Sequence, residues 1–423
     1  MFNLSVLLVS FVSVAAVSCS RDPRAADGGA TTAVSTPAWT VRVESMPAPT
    51  GPGTMLPRLT GSDRGVIVSW VERSGARSQL KFAERTPSGW SQPTTVASGD
   101  KWFLSYADPP TVLRRPDGSL LANWLLSTNP VYEGSDLQLS YSRDNGKTWA
   151  QPVVPHHDGT QQQHAFPSFF ELPGNGLGVV WLDGRDVQPS EANPEGGPMA
   201  LRYAAYDAQW KRTAEGVVDP RACECCSTSI AMTSDGVLVA FRDRSDKEIR
   251  DIAVARLENG KWTEPIRVHD DNWEVYACPV NGPIVSANGR NAVVAWFTVK
   301  DDKGQAWAAF SSDAGRTWGQ PIRLDDGMSL GRVGVELLDD GSAVASWVEY
   351  ADKRGQFKLR RVEPSGTRSE AVGVSAATAT LAMDTPRMTR RGKELVVAWT
   401  ERAVGDESDA SFQVHPAVAA LPE

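Results

Sequence analysis

Short apolar runs that end in an aromatic residue recur along this chain. Typical examples are VIVSW, VLVAF and AVVAW. The aromatic residues that end the runs are Trp70, Trp124, Trp181, Phe241, Trp296, Trp347 and Trp399. Successive members of the series are 54, 57, 60, 55, 51 and 52 residues apart. Seven copies at nearly constant spacing indicate an internal repeat, and a repeat of this length constrains the whole fold.

Each repeat contains four segments with the pattern of β-strands. A short apolar segment comes first, as in FPSFFELPGNG, and it ends in a Gly-containing turn. The run that ends in the aromatic residue follows, then an alternating segment such as DLQLSYSRD, then a segment such as TWAQPVVP. Four short strands per repeat are typical of propeller blades. The sequence therefore predicts an all-β propeller of four-stranded antiparallel blades, with seven blades favoured over six.

The repeat that begins at Thr385 is one strand short. The segment AWTVRVES, at residues 38–45, has the pattern of the missing Trp-containing strand. If this segment pairs with the last repeat, it closes the ring and covers a sheet edge that would otherwise be exposed. We therefore predict one propeller domain over residues 38–423, closed by its N-terminal strand.

The residues before the propeller have the composition of an export signal and a tether. Residues 1–19 hold an apolar run that is too short for a membrane-spanning helix, and their last four residues, AVSC, resemble a bacterial lipobox ending at Cys19. Residues 20–37 are small and polar, with Pro and Gly, as in flexible linkers. We predict an exported protein that is anchored to the bacterial cell envelope by lipidation of Cys19. A simply cleaved signal and an uncleaved anchor are the alternatives.

The charge of the chain argues against a nucleic-acid partner. The sequence has 43 Lys and Arg residues against 51 Asp and Glu residues, a formal net charge of −8, and it has no basic block. Proteins that bind nucleic acids carry a basic surface. The sequence predicts contact with a membrane through the lipid anchor only. It does not predict the oligomeric state.

Two turns share a specific motif. SRDNGKTW (Ser142–Trp149) and SSDAGRTW (Ser311–Trp318) both fit S-x-D-x-G-x-T-W, the Asp box. The Asp accepts hydrogen bonds from its own turn and the Gly permits the tight bend, so we interpret the boxes as folding elements between the third and fourth strands of a blade. With these motifs and the blade pattern, residues 38–423 resemble the sialidase (neuraminidase) superfamily of propellers.

The candidate site residues lie where the propeller geometry brings blades together. The first two strands of a blade are antiparallel, so the start of the first and the end of the second lie at the same rim. The resemblance implies that three arginines clamp a substrate carboxylate there, with an Asp as acid and a Tyr nucleophile that a Glu polarises. Asp108 would be the acid, and Arg332, with Arg387 and Arg58 as alternatives, would supply clamp members.

The segment CECCSTSIAMTSDGVLVAFRD resembles the family segment in which a Glu precedes a strand and an Arg ends the next strand. On this match Glu224 would polarise the nucleophile and Arg242 would join the clamp. The final repeat begins with DTPRM and lacks the Tyr that the family has there. The resemblance implies a central pocket for an acidic sugar or another carboxylate, and an exo-glycosidase that needs no cofactor.

Cysteines form a second candidate site. Apart from Cys19, the chain has Cys223, Cys225, Cys226 and Cys278. Cys226 and Cys278 each directly precede the first strand of a blade, and the two blades are adjacent, so we expect them to be neighbours near the axis. One interpretation is a disulfide between Cys278 and Cys226 or Cys225, because an exported protein can keep disulfides. A copper or zinc site made by the thiolates with His164 is the second, and redox chemistry is the third.

The cysteines also support a second class of function. The chain would then be a non-hydrolytic surface lipoprotein whose cysteines form a metal site or a binding site shaped by a disulfide. Binding of a protein partner at the mouth, without chemistry, is a third class. We expect the remaining histidines of the central repeats, His156, His157 and His269, on surface loops.

Overall fold

The computed structural model describes residues 39–129, 134–187, 197–375, 385–402 and 411–422. The signal segment, Cys19 and the tether at residues 20–37 lie outside the described residues, so these assignments stay predictions. Within the described residues the chain forms 29 β-strands and one short 3₁₀ turn at Pro173–Asn175. No helix in this part of the chain is long and apolar enough to span a membrane.

The strands form seven consecutive antiparallel sheets. β1 comprises Val43–Ser45, and the first sheet contains β2 (Thr54–Gly61), β3 (Val66–Ser74), β4 (Arg77–Thr86), β5 (Gly89–Trp90) and β6 (Thr94–Gly99). The second sheet contains β7 (Thr111–Arg114), β8 (Leu120–Asn129) and β9 (Gly134–Ser142). The third sheet contains β10 (His164–Leu172), β11 (Gly176–Asp183), β12 (Met199–Tyr206) and β13 (Arg212–Ala222). We number the blades 1 to 7 in this order.

Blades 4 to 7 continue the series. Blade 4 contains β14 (Ser229–Thr233), β15 (Gly236–Arg242), β16 (Ile252–Glu258), β17 (Lys261–Trp262) and β18 (Ile266–Arg267). Blade 5 contains β19 (Ile284–Asn288), β20 (Asn291–Lys300), β21 (Lys303–Ser311) and β22 (Ile322–Arg323). Blade 6 contains β23 (Met328–Leu337), β24 (Ala343–Ala351), β25 (Arg354–Val362) and β26 (Val372–Ser375), and blade 7 contains β27 (Arg387–Arg391), β28 (Glu394–Arg402) and β29 (Phe412–Ala420).

The prediction of a seven-bladed propeller closed by an N-terminal strand is confirmed. β1 pairs antiparallel with β29, with Val43 opposite Ala419 and Ser45 opposite Ala417, so the last sheet has the order β1-β29-β28-β27. The outer strands deviate from the regular pattern. In blade 2 a single bridge between Leu139 and Val153 takes the place of the fourth strand, and blades 1 and 4 divide theirs into two short pieces.

The repeated aromatic residues form the core between blades. Trp70, Trp181, Phe241, Trp296 and Trp347 are all at most 2% exposed. The six larger hydrophobic clusters take their members from neighbouring blades; for example, Trp70 of β3 packs with Val396 and Ala398 of β28. Burial of one such side chain contributes on the order of 2–3 kcal/mol, which explains why the aromatic position recurs in every repeat.

The two Asp boxes have the same hydrogen bonds. In the first, Asp144 accepts hydrogen bonds from the Thr148 backbone N–H (2.9 Å) and hydroxyl (2.6 Å), while Ser142 Oγ accepts one from the Gly146 N–H (2.8 Å). The second box repeats these contacts with Ser311, Asp313, Gly315 and Thr317. The hydrogen bonds from Thr148 lower the pKa of Asp144 to about 2. Both carboxylates therefore stabilise the turns in which they lie, as expected for folding elements.

Candidate functional site

The inner strands are irregular where they approach the axis. The register shifts between Met55 and Arg58, between Ala165 and Ser168, and between Gly331 and Gly334. Inside the three bulges lie Leu56 (φ 57°), Phe166 (φ 58°) and Arg332 (φ 56°). A left-handed backbone is rare for large side chains, and bulges redirect the side chains around them. The bulges therefore change the directions in which side chains of β2, β10 and β23 point.

A small cavity of about 20 Å³, room for about one water molecule, lies among these strand starts. It is lined by Ala107, Ser227, Val280, Asn281, Gly282, Ile284, Arg332, Val333, Thr385 and Arg387. Most lining residues lie at or near the start of a first strand, Arg332 and Val333 lie in the bulge in the middle of β23, and together the lining residues represent blades 2, 4, 5, 6 and 7. Residues that are far apart in sequence thus meet at one axial cavity, which contains two of the four arginines named from the sequence, Arg332 and Arg387.

Arg332 is held from three sides. Its Nη1 donates to the carbonyl oxygen of Val280, and its guanidinium lies 4.7 Å from the centre of the Tyr106 ring. Its backbone N–H donates to Oδ1 of Asn281 at 2.9 Å. The preceding Gly331 has φ 79°, and a Cβ there would lie 2.2 Å from the same Asn281 oxygen. Contacts from blades 2, 5 and 6 therefore fix the direction of Arg332.

Asp108 lies beside this cavity, with Arg58 and Arg387. Its Oδ2 accepts a hydrogen bond of 2.6 Å from the backbone N–H of Phe166, the left-handed residue of blade 3. Burial raises the pKa of Asp108 to about 6, although that hydrogen bond and the charges of Arg58 and Arg387 act in the opposite direction. Burial also lowers the pKa of Arg58. The structure thus brings together Asp108, Arg58 and Arg387, three of the candidate site residues; their roles stay predictions.

Arg242 is not part of this cavity, which corrects its assignment to the clamp. The side chain is 1% exposed. Nε and Nη2 donate to the carbonyl oxygen of Asn281, Nη2 also to that of Phe297, and Nη1 to that of Arg250. The guanidinium also lies 5.0 Å from the ring centre of Trp273. With its donors directed to backbone carbonyls of blades 4 and 5, Arg242 connects the two blades.

Glu224 also has surroundings that differ from the expectation. Its Oε2 accepts a hydrogen bond from Arg244 Nη1 (2.8 Å) and its Oε1 one from Arg250 Nη1 (3.1 Å). Cys278 Sγ lies 3.5 Å from Oε1. Both arginines also bind Glu248. The contacts place Glu224 in a buried ionic network beside the cysteines instead of beside a tyrosine.

The four cysteines that the structure describes all carry thiol groups and form no disulfide. Cys223 Sγ lies 3.5 Å from Cys226 Sγ and 3.9 Å from Cys225 Sγ. Cys278 forms a group with Cys225 and Glu224, whose ligand atoms lie within 4.8 Å of one another. Burial raises the pKa of Cys223 to about 11. Burial opposes ionisation of Cys226 as well, but the thiols of Cys223 and Cys225 and the charge of Arg242 lower its pKa.

His164 lies in a different cluster, which corrects its assignment to the thiol site. Its Nε2 lies 2.9 Å from Asp158 Oδ2, its Nδ1 lies 3.1 Å from the carbonyl oxygen of Ser135, and its ring stacks on His156 at 3.6 Å. No group of potential metal ligands within the described residues combines His164 with a cysteine. The expectation that His156 lies on the surface is wrong, because it is buried, and burial lowers its pKa to about 3.

Sequence reasoning missed the arginines that surround the cysteines. Arg244 and Arg250 belong to the segment RDRSDKEIRD, which leads from the end of β15 to β16, and eight of its ten residues, Arg242 to Asp251, are charged. A loop this rich in both signs, directly after a buried strand, was a signal for an ionic network. It contains both the salt-bridge partners of Glu224 and the hydrogen-bond donor to Cys223, Arg250.

Comparisons with known proteins agree with this architecture. No protein-family model matches the chain. A curated sialidase of Paraclostridium sordellii is 24% identical over 225 residues, which are 49% of this chain and 52% of that protein. The match thus spans about half of the length of that relative. Together with the Asp boxes and the seven blades, it identifies the chain as a sialidase-like β-propeller.

Several solved structures are also similar. A mutant of the NanB sialidase of Streptococcus pneumoniae aligns with a TM-score of 0.45 and 10% identity, covering 90% of this chain and 94% of that one. An α-L-arabinanase of Penicillium chrysogenum, complexed with arabinobiose, aligns with a TM-score of 0.46 and 13% identity, covering 75% and 94%.

Proposed function

We propose that the axial cavity binds a ligand with a carboxylate, of the acidic-sugar class, and that Arg332 and Arg387 hold this carboxylate. The observation that carries the proposal is the presence of these two arginines, from blades 6 and 7, in the lining of one cavity. None of the lining residues that the structure describes is an acid. Two guanidinium groups in one lining favour an anion, and guanidinium groups bind carboxylates with paired hydrogen bonds.

The cavity is too small to enclose a whole sugar. Its enclosed volume is about 20 Å³, room for about one water molecule, whereas small-molecule sites have volumes of about 300–1,000 Å³. The carboxylate group of the ligand would therefore enter the cavity, while the sugar ring lies outside it. The proposal is exo-acting recognition of a terminal acidic sugar, whose carboxylate is the group that Arg332 and Arg387 hold.

Hydrolysis of the bond to that sugar is the reaction that we assign to the site. Asp108 would donate the proton to the leaving oxygen, because burial raises its pKa to about 6 and keeps it protonated in mildly acidic solution. The curated match to a sialidase supports this reaction class. A nucleophile is not assigned, since Thr385 lies where the resemblance implies a tyrosine.

Calorimetric titration with N-acetylneuraminic acid tests the binding step, with its methyl ester as the neutral control. We expect the acid to bind about tenfold or more tightly than the ester, because a hydrogen bond to a charged group contributes about 1.5–3 kcal/mol. Arg332→Ala and Arg387→Ala should each remove this preference, whereas Arg143→Ala, a change of an exposed arginine within the first Asp box, should not. Equal binding of acid and ester, or binding of neither, would contradict the proposal. Turnover of a fluorogenic sialoside tests the reaction.

The cellular location is a separate part of the proposal. We propose that the protein is exported and held at the bacterial envelope by a lipid on Cys19, as the lipobox-like sequence favours. Metabolic labelling with a fatty acid and membrane fractionation test this. Cys19→Ala should release the protein from the membrane fraction and abolish labelling. A labelled Cys19→Ala variant would contradict it.

A further inference from the structure

The four described cysteines form one cluster, although they come from two distant segments. Cys223, Cys225 and Cys226 lie between β13 and β14, and their sulfur atoms lie within 4.8 Å of one another. Cys278 lies between β18 and β19, and it forms a second group of ligand atoms with Cys225 and Glu224. Cys225 belongs to both groups and is therefore the centre of the cluster. The fold, rather than local sequence, supplies the fourth thiol.

We propose that this cluster binds one thiophilic d¹⁰ cation, Cu(I) or Zn(II), through the thiolates of Cys223, Cys225, Cys226 and Cys278. The proposal does not depend on the function proposed for the axial cavity. Thiolates select such cations over magnesium and calcium, which prefer oxygen ligands. Four protein sulfur ligands are typical of a closed structural zinc site, and thiolates are also the ligands that Cu(I) prefers.

The distances between the sulfur atoms fit metal coordination. A zinc–sulfur bond of about 2.3 Å in tetrahedral geometry places ligand sulfur atoms about 3.8 Å apart. Cys223 Sγ lies 3.9 Å from Cys225 Sγ and 3.5 Å from Cys226 Sγ. A disulfide needs about 2.05 Å. The three thiols of the CECC segment can therefore hold a cation almost without movement, whereas a disulfide requires a pair to close up.

The surroundings supply the hydrogen bonds and charges that metal-bound thiolates need. Arg250 Nη1 donates to Cys223 Sγ at 3.4 Å, and the backbone N–H of Asn281 and the guanidinium of Arg242 face Cys226. Such N–H contacts orient metal ligands and offset their negative charge. Cys225 and Cys278 are partly exposed, so a cation can reach the cluster from their side.

Arg242 gives a second reason to expect thiolates here. It is buried, and its hydrogen-bond partners are carbonyl oxygens, which carry no net charge. A buried charge is stable only with a compensating partner. A metal-bound thiolate at Cys226 supplies that negative charge, whereas a disulfide would leave the sulfur neutral. The arginine that the sequence assigned to a substrate thus becomes a partner of the thiol site.

The test uses the full-length protein, isolated without chelators or reductants, and measures its metal content by elemental analysis and its mass by native and denaturing mass spectrometry. We expect one copper or zinc ion per chain in the native spectrum and, in the denaturing spectrum, the mass of the metal-free chain with all four cysteines as reduced thiols. The identity of the ion decides between Cu(I) and Zn(II). The alternative arrangement is two disulfides, Cys223–Cys226 and Cys225–Cys278. Their presence in the isolated protein would overturn the proposal, even if the reduced protein binds a metal ion.

Variants assign the site to these residues. In competition with a chromophoric chelator, Cys225→Ser should lower the affinity for the isolated ion about 100-fold or more, and Cys278→Ser at least tenfold. Ser234→Ala, an exposed serine on the turn after β14 and outside both sites, is the control and should bind the ion as the natural protein does. Circular dichroism verifies that each variant is folded. Unchanged affinity in a folded Cys225→Ser protein would overturn the assignment, and if that variant does not fold, the folded Cys278→Ser protein decides in the same way.

Discussion

At the scale of single residues, Asn281 shapes the axial cavity by hydrogen bonds to the backbone of Arg332 and Pro279. Its Oδ1 accepts the N–H of Arg332, and its Nδ2 donates to the carbonyl oxygen of Pro279 at 3.0 Å. Arg332 has a left-handed backbone, which costs about 1–2 kcal/mol in a residue with a side chain. The hydrogen bond to Asn281 offsets part of this cost. Asn281 is therefore a positioning residue for the arginine that we assign to the ligand.

Gly331→Ala should disturb this arrangement more than an equivalent change elsewhere. Gly331 (φ 79°) and Gly341 (φ 83°) both have left-handed backbones, so alanine costs about 1–2 kcal/mol at either position. At Gly331 the new Cβ would also lie 2.2 Å from Asn281 Oδ1, whereas at Gly341 it meets nothing within 4 Å. Thermal unfolding should therefore show a larger loss for Gly331→Ala, and calorimetry should show weaker binding of N-acetylneuraminic acid in that variant alone. Equal losses in both variants would show that Asn281 adjusts freely.

Asp108 should make the stability of the protein depend on pH. Burial raises its pKa from 3.8 to about 6. The folded state therefore holds this proton more tightly than the unfolded state does, and stability falls as the pH rises from about 4 to about 6. The difference corresponds to about 3 kcal/mol. Arg58 and Arg387 face the same carboxyl group and already oppose the shift.

Asp108→Asn isolates this effect, because it keeps an oxygen for the Phe166 N–H but removes the charge. Relative to the natural protein, the variant should gain stability across the interval from pH 4 to 6 and should differ by a constant amount above it. Chemical denaturation at several pH values measures this. A difference that does not change with pH would mean that Asp108 titrates at its ordinary pKa.

At the scale of elements, the Asp boxes link a short motif to blade stability. Asp144 receives the Thr148 N–H and hydroxyl and the Ser142 hydroxyl. Asp144→Ala removes all three contacts and should lower the midpoint of thermal unfolding by a few degrees at pH 7. Because the pKa of Asp144 is lowered to about 2, its contribution is complete above about pH 4 and is lost as the pH falls towards 2.

Asp100→Ala is the control for this prediction, since Asp100 is an exposed aspartate outside the boxes. Its midpoint should remain near that of the natural protein at every pH. The difference between the two variants should shrink when unfolding is measured below pH 4. A difference that persists down to pH 2 would show that the Asp144 carboxylate does not provide the stabilisation.

The elements also show what the sequence can and cannot predict. Blade number and ring closure were predictable because each blade repeats a local pattern of apolar runs and turns around an aromatic core residue. The direction in which a side chain points at the end of a strand was not predictable from such a local pattern. Arg242 is the last residue of β15, and its guanidinium turns into the contact between blades 4 and 5 instead of the cavity.

The bulges explain this difference. Leu56, Phe166 and Arg332 have left-handed backbones, but no residue type at these positions indicates it, since Gly and Asn are the usual occupants. The bulge around Arg332 brings it into the cavity lining, whereas regular pairing keeps Arg242 in its blade. Likewise, the pairing of His164 with Asp158 depends on a long segment between β9 and β10 whose path has no repeat pattern.

At the scale of the whole molecule, the first and last blades are joined by a short strand and a few specific contacts. Val41 is buried, and Trp39 and Val43 pack against Leu395 and other residues of blade 7. The backbone N–H of Gly53 donates to the carbonyl oxygen of Phe412 at 2.8 Å. Arg85 of blade 1 forms a salt bridge with Glu394 of blade 7. β1 thus covers the edge of β29, and the chain that leads from it to β2 connects blade 7 to blade 1.

Removal of residues 1–46 should therefore open the ring, while removal of residues 1–38 should not. The longer deletion leaves the edge of β29 unpaired, and an exposed strand edge recruits other chains. We expect a lower unfolding midpoint and aggregation in size-exclusion chromatography. Because Arg387 is the first residue of β27 in the same blade, binding of N-acetylneuraminic acid should weaken as well. Identical melting and binding in the two deletions would mean that contacts between blades hold blade 7 in place without β1, and that the cavity depends on packing between blades instead of on closure of the ring.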